Sequence, residues 1–453
     1  MTDTKKSIHG EWSSRSAFIL AATGSAVGLG NIWKFPYITG EHGGGAFVIV
    51  YLLCVALIGI PIMIAETLLG RRGRENPVNT MQLLSAEAEQ DPRWQYVGWV
   101  GMAAGLLILS YYSVIAGWAS AYVFKAFTGS FFNADAAAIK QLFSDFIGSP
   151  LQLIFWHTLF MAATLFIVAR GVDKGLEKSV RILMPGLFIL LILLVMYAMT
   201  TSGYFQGIHF LFSFDFSKLT GNAILIAMGQ AFFSLGLGMG CVMAYGAYLP
   251  NDLSIAKTSI IIAAVDTLVA LLAGIIIFPI VFTYQLNPGS GPGLIFETLP
   301  IAFGTMTGGW LFGVLFFIIL VFAALSSAIA LIEPTVSWLV ENRGISRQRA
   351  SLQAGGIAWL IGLATVFSFN AWAAFKPFGL TLFDLIDYVT ANLMLPLGGL
   401  AIAIFVGWKM KQQHSAQELN IVDPEYFKLW LMLTKYLAPA AVFLVFLHVV
   451  GVL

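Results

Sequence analysis

The chain has 453 residues, 58% of them hydrophobic, 14% aromatic and only 10% charged, with a formal net charge of +1. Soluble domains carry roughly 25% charged residues, so this composition excludes a soluble domain with a single anchor, and the balanced charge leaves no basic footprint for nucleic acid. Cys54 and Cys241, the only cysteines, both lie in apolar stretches, which excludes a disulfide framework and a thiolate metal cluster. The expectation is a polytopic membrane protein in a lipid bilayer. The first dozen residues are polar and the first apolar run is interrupted, so no cleavable signal peptide is expected.

A membrane-crossing helix needs about 20 mostly apolar residues. Eleven such stretches are read: 14–38, 44–70, 94–126, 151–170, 176–201, 221–248, 256–284, 309–340, 350–370, 379–409 and 424–450. The connection 287–308 is too short and too rich in Gly and Pro to span, and reads as a loop with a short helix packed over an entrance. Within the first span, Gly24–Pro36 (GSAVGLGNIWKFP) interrupts an apolar run with three glycines and an asparagine. Glycine costs about 1 kcal/mol against alanine inside a helix. In lipid every backbone polar group must also be satisfied internally. Small residues at a helix interface explain one such stretch as close packing. A second break of the same kind, Gly229–Gly240 (GQAFFSLGLGMG), lies in the sixth span. Two Gly-interrupted segments in corresponding halves point to a transport site in an inverted repeat. The expected fold is therefore all-α, with a five-plus-five inverted repeat, broken helices 1 and 6, and an eleventh helix added. In the fifth span Gly175 and Pro185 frame an interval that reads either as an ordinary kink or as a segment able to unwind and admit water.

Lys and Arg in short loops set orientation. One side collects Lys5, Lys6 and Arg15, then Arg71, Arg72 and Arg74, then Arg170, Lys174, Lys178 and Arg181, then Lys257, Arg343, Arg347, Arg349, Lys409 and Lys411. The other side has little beyond Lys140, Lys218 and Lys376. This predicts a cytoplasmic N-terminus and, with eleven spans, an extracytoplasmic C-terminus in the cell's inner (plasma) membrane.

Charges inside spans are costly and default to function; here they are Lys34, Glu66, Asp266, Glu333 and Asp387. Asn31, Ser234, Ser326 and Ser327 lie around the breaks. These hard oxygen donors suit an alkali cation better than a soft metal. The half-helix after the first break presents a positive N-terminal end to a carboxylate. The residues thus predict a cation-coupled carrier for a small anionic or zwitterionic solute. A channel would need a polar pore where this core is aromatic. A membrane enzyme would need a nucleophile–base pair or a metal motif, neither of which the sequence offers. A transporter-like sensor would bind solute without accumulating it.

The stretches GSAVGLGNIWKFPY, GGGAFVIVYLL, GQAFFSLGLGMG, GPGLIFETLPIAF and ALSSAIALIEP resemble the neurotransmitter:sodium symporter family, and within it the bacterial eleven-span amino-acid transporters of the LeuT fold. The resemblance covers the chain from Trp12 onward. It implies a single transporter domain over 1–453: an N-terminal cytoplasmic segment 1–13, repeats 14–201 and 221–409, and the additional helix 424–450. It implies two sodium sites. The first would use Ala26, Asn31, Ser234 and Asp266 with the substrate carboxylate; the second, Gly24, Val27, Ala323, Ser326 and Ser327. The substrate would lie among Ala26, Gly28, Gly30, Ile108, Tyr112, Phe233, Ser234, Gly236, Met239, Ser327 and Leu331. Tyr112 would hold the carboxylate, Phe233 would lid the pocket, and Glu66 would hold backbone amides of the broken sixth span. Lys34 with Asp387 would close the outside, and Trp12, Tyr248 and Glu341 the inside. His9 stands where the family has Arg three residues before the Trp, and Lys5 or Lys6 would have to substitute. Gly175 and Pro185 would let the fifth span unwind. The implied function is import of hydrophobic and aromatic L-amino acids with sodium, without chloride and without enzymatic chemistry.

Overall fold

The computed structural model describes residues 12–132, 134–289, 293–421 and 423–449; Lys5, Lys6 and His9 lie outside them. The described residues form helices joined by turns and loops, without strands. Among them nine helices are long and apolar enough to cross a membrane, and a tenth span is the bent pair Ser16–Ala26 and Gly30–Glu41, whose halves meet at 49°. The sixth expected span is Gly221–Ser234 and Cys241–Ala247, of 14 and 7 residues. Neither half reaches spanning length alone, so the count of eleven rests on taking the two halves and their break together.

Both breaks follow from local chemistry. The first helix stops where Val27 turns extended (φ −68, ψ 109). At the second, Gly236, Gly238 and Gly240 have φ of +66, +75 and +73, a left-handed region costing an L-residue roughly 1–2 kcal/mol. A Cβ on Gly238 would in addition come within 2.6 Å of the Leu395 carbonyl.

The first span packs on the seventh (Ile255–Thr283) and eighth (Gly309–Arg343) spans, the sixth packs chiefly on the second (Gly45–Gly73), and the third (Gln95–Phe127) lies against the eighth. The most apolar windows of the third and eighth are 78% and 72% buried, whereas those of the fourth, fifth and eleventh are 33%, 28% and 22%. The first pair is therefore interior and the other three face lipid. Gly105 allows the third span to close on the eighth: a Cβ there would lie 3.0 Å from the Leu331 carbonyl, the small-residue packing expected in a bilayer.

Several connections read as loops are helices. Pro77–Glu87 starts on Asn76, whose side chain accepts from Val78 and Asn79 N–H. Ala136–Gly148 starts on Asp135, which caps Ala138 N–H. Tyr204–Phe212 and Gln412–Leu419 complete the set. The Arg72 guanidinium pairs with Glu87 and holds its carboxyl below the usual range, fixing the first of these helices to the end of the second span. The 287–308 connection carries the expected short helix, Leu294–Thr298 continuing into Leu299–Thr305. Its Phe296 is wedged among Trp118, Tyr122, Phe143 and Phe317.

Candidate functional site

The two breaks meet face to face in the middle of the bundle. Asn31, one residue into the second half of the first span, ties three spans together. Its Nδ2 donates to Asp266 Oδ1 (2.8 Å), to the Asp266 carbonyl (3.0 Å) and to Ser234 Oγ (3.0 Å). Its Oδ1 accepts from Gly28 N–H at 2.9 Å. Ser234 Oγ donates to Asp266 Oδ2 at 2.6 Å, and Tyr51 Oη donates to Ser234 Oγ at 3.4 Å. All four side chains are buried. The cluster gathers carboxylate, carbonyl and hydroxyl oxygens of Asp266, Ser234 and Tyr51 around the Asn31 amide nitrogen; such hard oxygens are donors an alkali cation takes.

A second oxygen cluster lies toward the Trp12 end. Ser327 Oγ donates to the carbonyls of Val27 (3.1 Å) and Gly24 (3.4 Å). Ser326 Oγ donates to the Ala323 carbonyl at 3.0 Å. Ser327 thus joins the eighth span to two uncharged carbonyl oxygens where the first helix ends, while the Ser326 hydroxyl bonds back within its own helix. A Cβ on Gly24 would lie 3.2 Å from Ser326 Cβ and 3.1 Å from Met184 Sδ of the fifth span.

Between the clusters lie the residues expected to bind the solute. Tyr112 Oη accepts from Leu29 N–H at 3.1 Å. A Cβ on Gly28 would stand 2.5 Å from Ser327 Oγ and 2.6 Å from Tyr112 Oη. The Phe233 ring covers Gly30, within 3.1 Å of where a Cβ would be. Gly236, by contrast, has no heavy atom within 4 Å of its Cβ position. The Met239 and Leu331 carbonyls both approach Gly105, and Ile108 lies buried one turn along the same helix. Glu66 Oε2 accepts from Gly238 N–H at 3.0 Å, so a fully buried carboxylate fastens the second break.

Both ends of the site are closed. On one side Lys34 Nζ is 3.6 Å from Asp387 Oδ2 and 4.5 Å from the Phe233 ring centre, while Tyr111 Oη donates to Asp387 Oδ1 at 2.9 Å. A cavity of about 110 Å³ lies among these residues, Trp33 and Phe383. On the other side Trp12 N–H donates to the Tyr248 carbonyl at 3.3 Å, and the Trp12 ring packs 5.5 Å from Tyr245 and 6.3 Å from Tyr248. Tyr248 Oη donates to Glu333 Oε1 at 2.9 Å, and Arg347 pairs with Glu333 through contacts of 3.0 and 2.5 Å. Glu341 accepts from Asn76 N–H at 3.0 and 2.9 Å. In the fifth span Gly175 sits in the wide turn Val172–Glu177, and the following helix Lys178–Ala198 runs through Pro185 without a break.

Sequence reasoning named Glu333 without a partner and missed Arg347, Tyr111 and Tyr51. It also missed Gln230, whose Nε2 donates to the Gly30 carbonyl at 2.9 Å, and Glu177, which accepts from Ser13 N–H at 3.1 Å and pairs with Arg181 at 2.7 Å. A lone carboxylate inside a span was the available signal for Arg347, since a buried charge demands a counter-charge.

The profile of the sodium:neurotransmitter symporter family matches residues 9–136 and 129–452. The sodium-dependent transporter YhdH of Bacillus subtilis (strain 168) is 37% identical over 448 residues, covering 98% of each chain. A sodium-dependent transporter of Haemophilus influenzae is 33% identical, over 96% of this chain and 97% of its own. Among solved structures, that of MhsT in complex with L-phenylalanine shares 44% identity and a TM-score of 0.91, over 97% of this chain and 99% of that one. The fold is accordingly the LeuT fold that the resemblance implied. Matched by the profile along nearly its whole length and by full-length sodium-dependent relatives, the chain belongs to the sodium:neurotransmitter symporter family of membrane transporters.

Proposed function

We propose that this symporter imports hydrophobic and aromatic L-amino acids by alternating access, coupled to two sodium ions and independent of chloride. One sodium ion would be held by Ala26, Asn31, Ser234 and Asp266 together with the solute's carboxylate. The other would be held by Gly24, Val27, Ala323, Ser326 and Ser327. Sodium and solute then favour the same closed state, which is the whole of the coupling: each raises the other's affinity by the same factor. In the orientation proposed for the cell's inner membrane, the Trp12 end is cytoplasmic and the Lys34 end faces outward. Lys34, Asp387 and Phe233 act as the outer gate, and Trp12, Tyr248 and Glu341 belong to the inner one.

The observation that carries this reading is the lack of space at Gly28. Amine carriers of the family place an Asp there to pair with the amine. Here even a methyl group would meet Ser327 Oγ and Tyr112 Oη, so the negative charge must arrive on the solute. Two further observations support the side-chain class. Gly236 leaves open space at its Cβ position, and the similar transporter MhsT has been crystallised with L-phenylalanine.

The test is uptake of labelled phenylalanine into proteoliposomes under an inward sodium gradient, with competition by the other amino acids and by tryptamine and tyramine. Saturable, sodium-dependent accumulation is expected, with aromatic and branched aliphatic competitors effective, and Asp, Glu and Lys ineffective. Amines competing as well as their parent amino acids would overturn the carboxylate assignment; binding without accumulation would make the protein a sensor.

A further inference from the structure

We propose that the groove where the fourth, fifth and ninth spans meet is a binding site for one anionic glycerophospholipid. The groove has a volume of about 1100 Å³. Its apolar part is built by Leu165 and Phe166 of the fourth span (Pro150–Val168) and Leu352 of the ninth (Arg347–Ser368), and its polar end by Arg170, Lys178 and Gln348. Phe166 and Leu352 are 60% and 65% exposed on the outer surface of the bundle, where the lipid would be.

The shape is that of an apolar trough ending in two cations from two different spans. A phospholipid with a net negative headgroup has the matching order of parts. The Arg170 guanidinium lies 3.9 Å from the Phe166 ring centre. That stacking holds a planar donor fork, which pairs well with phosphate oxygens. Among the described residues neither Arg170 nor Lys178 forms an ion pair. Of the described acids, Glu177 is engaged with Ser13 and Arg181, and Glu333 with Arg347 and Tyr248. Two cations at a membrane-facing groove whose described lining carries no acid are the pattern that headgroups fill.

The groove is also a fixed part of the fold. Arg347 Nε donates to the Val168 carbonyl at 2.8 Å, and the Leu165 side chain occupies the space a Cβ on Gly355 would need. The fourth and ninth spans are thereby locked, and the trough between them does not depend on which solute the transporter carries.

The test uses full-length protein purified in mild detergent and titrated with phosphatidylglycerol or phosphatidylcholine, with bound lipid counted by native mass spectrometry. One phosphatidylglycerol should be retained in preference to phosphatidylcholine. The double variant Arg170→Gln, Lys178→Gln should weaken it by about tenfold or more, as expected for two cations near a lipid surface. Leu352→Trp, which puts a bulky ring into the apolar part of the trough and leaves both cations, should weaken it as well, and glycerophosphoglycerol, the headgroup without chains, should not displace it. Wild-type retention by the charge variant would overturn the proposal. So would wild-type retention by Leu352→Trp, which would reduce the effect to diffuse surface attraction, and so would displacement by the soluble headgroup. Phenylalanine uptake does not enter any of these readings, so they stand or fall apart from the substrate assignment.

Discussion

Gly236 separates volume from strain. Its φ of +66 makes any side chain unfavourable there by roughly 1–2 kcal/mol, while the space around its Cβ position is open. Gly236→Ala carries the strain alone; Gly236→Phe adds a ring to the pocket. Sodium-dependent displacement of labelled amino acids should therefore show Ala lowering affinity evenly and Phe abolishing aromatic binding first. Identical profiles would mean that strain, and not pocket volume, sets selectivity. Asp266 carries a second prediction. Chloride-dependent relatives have Asn at this position and Ser four residues on; here a buried carboxylate hydrogen-bonded by Asn31 and Ser234 is followed by a buried Ala270. A fixed negative charge beside the proposed sodium sites would remove the need for a mobile one, because uncompensated buried charge is costly. Uptake in proteoliposomes with gluconate replacing chloride should be unchanged in the wild type and should fail in Asp266→Asn, Ala270→Ser. A wild type that stalls in gluconate would refute the proposal.

At the scale of elements, the fifth span is poised between the second oxygen cluster and the proposed cytoplasmic surface. Met184 touches the Gly24 turn, and the next residue, Pro185, leaves one helical carbonyl without its usual donor. The helix is intact in this structure, so the proposed unwinding is a transient opening of the interval. Pro185→Ala should restore the bond and slow transport while leaving sodium-dependent binding nearly unchanged. Wild-type uptake by the variant would exclude local unwinding as a required step. Both breaks were legible because glycine inside an apolar run has few other uses. The helices Pro77–Glu87 and Ala136–Gly148 were passed over because their apolar faces are short and masked by polar neighbours, although Asn76–Pro77 and Asp135 are good starting signals. The pairings of Tyr51 with Ser234 and of Gln230 with Gly30 were not legible at all: they join residues 183 and 200 positions apart, and local pattern carries no register between spans.

For the whole molecule, the two closures differ in kind. The Trp12 end is an aromatic cluster over Glu333, whose side chain is 0% exposed and shared by Arg347 and Tyr248. Glu333→Gln leaves the Arg347 charge without its partner and should cost about 3 kcal/mol, read as a lower thermal midpoint; an unchanged midpoint would show that solvent already satisfies Arg347. At the Lys34 end a 3.6 Å pair, with Asp387 30% exposed, is joined by the Tyr111 hydroxyl on Asp387 and the Phe233 ring beside Lys34. Ion pairs open to solvent are worth about 1 kcal/mol or less, and this one is more open than the Glu333 pair. This inequality makes the protein a molecule whose two doors respond differently to ionic strength. Screening shortens from about 30 Å at 0.01 M salt to about 3 Å at 1 M; it reaches Lys34 and Asp387 and largely spares the buried triad. Cys54 and Cys241 are buried, so a thiol placed at Phe383→Cys beside Asp387 reports the outer door alone. In choline chloride, which adds ions without adding sodium, its labelling rate should rise with concentration, whereas a thiol at Phe18→Cys, packed against Trp12, should stay protected. Salt alone would then bias the empty transporter toward the outside, leaving it waiting for solute on the side from which solute comes.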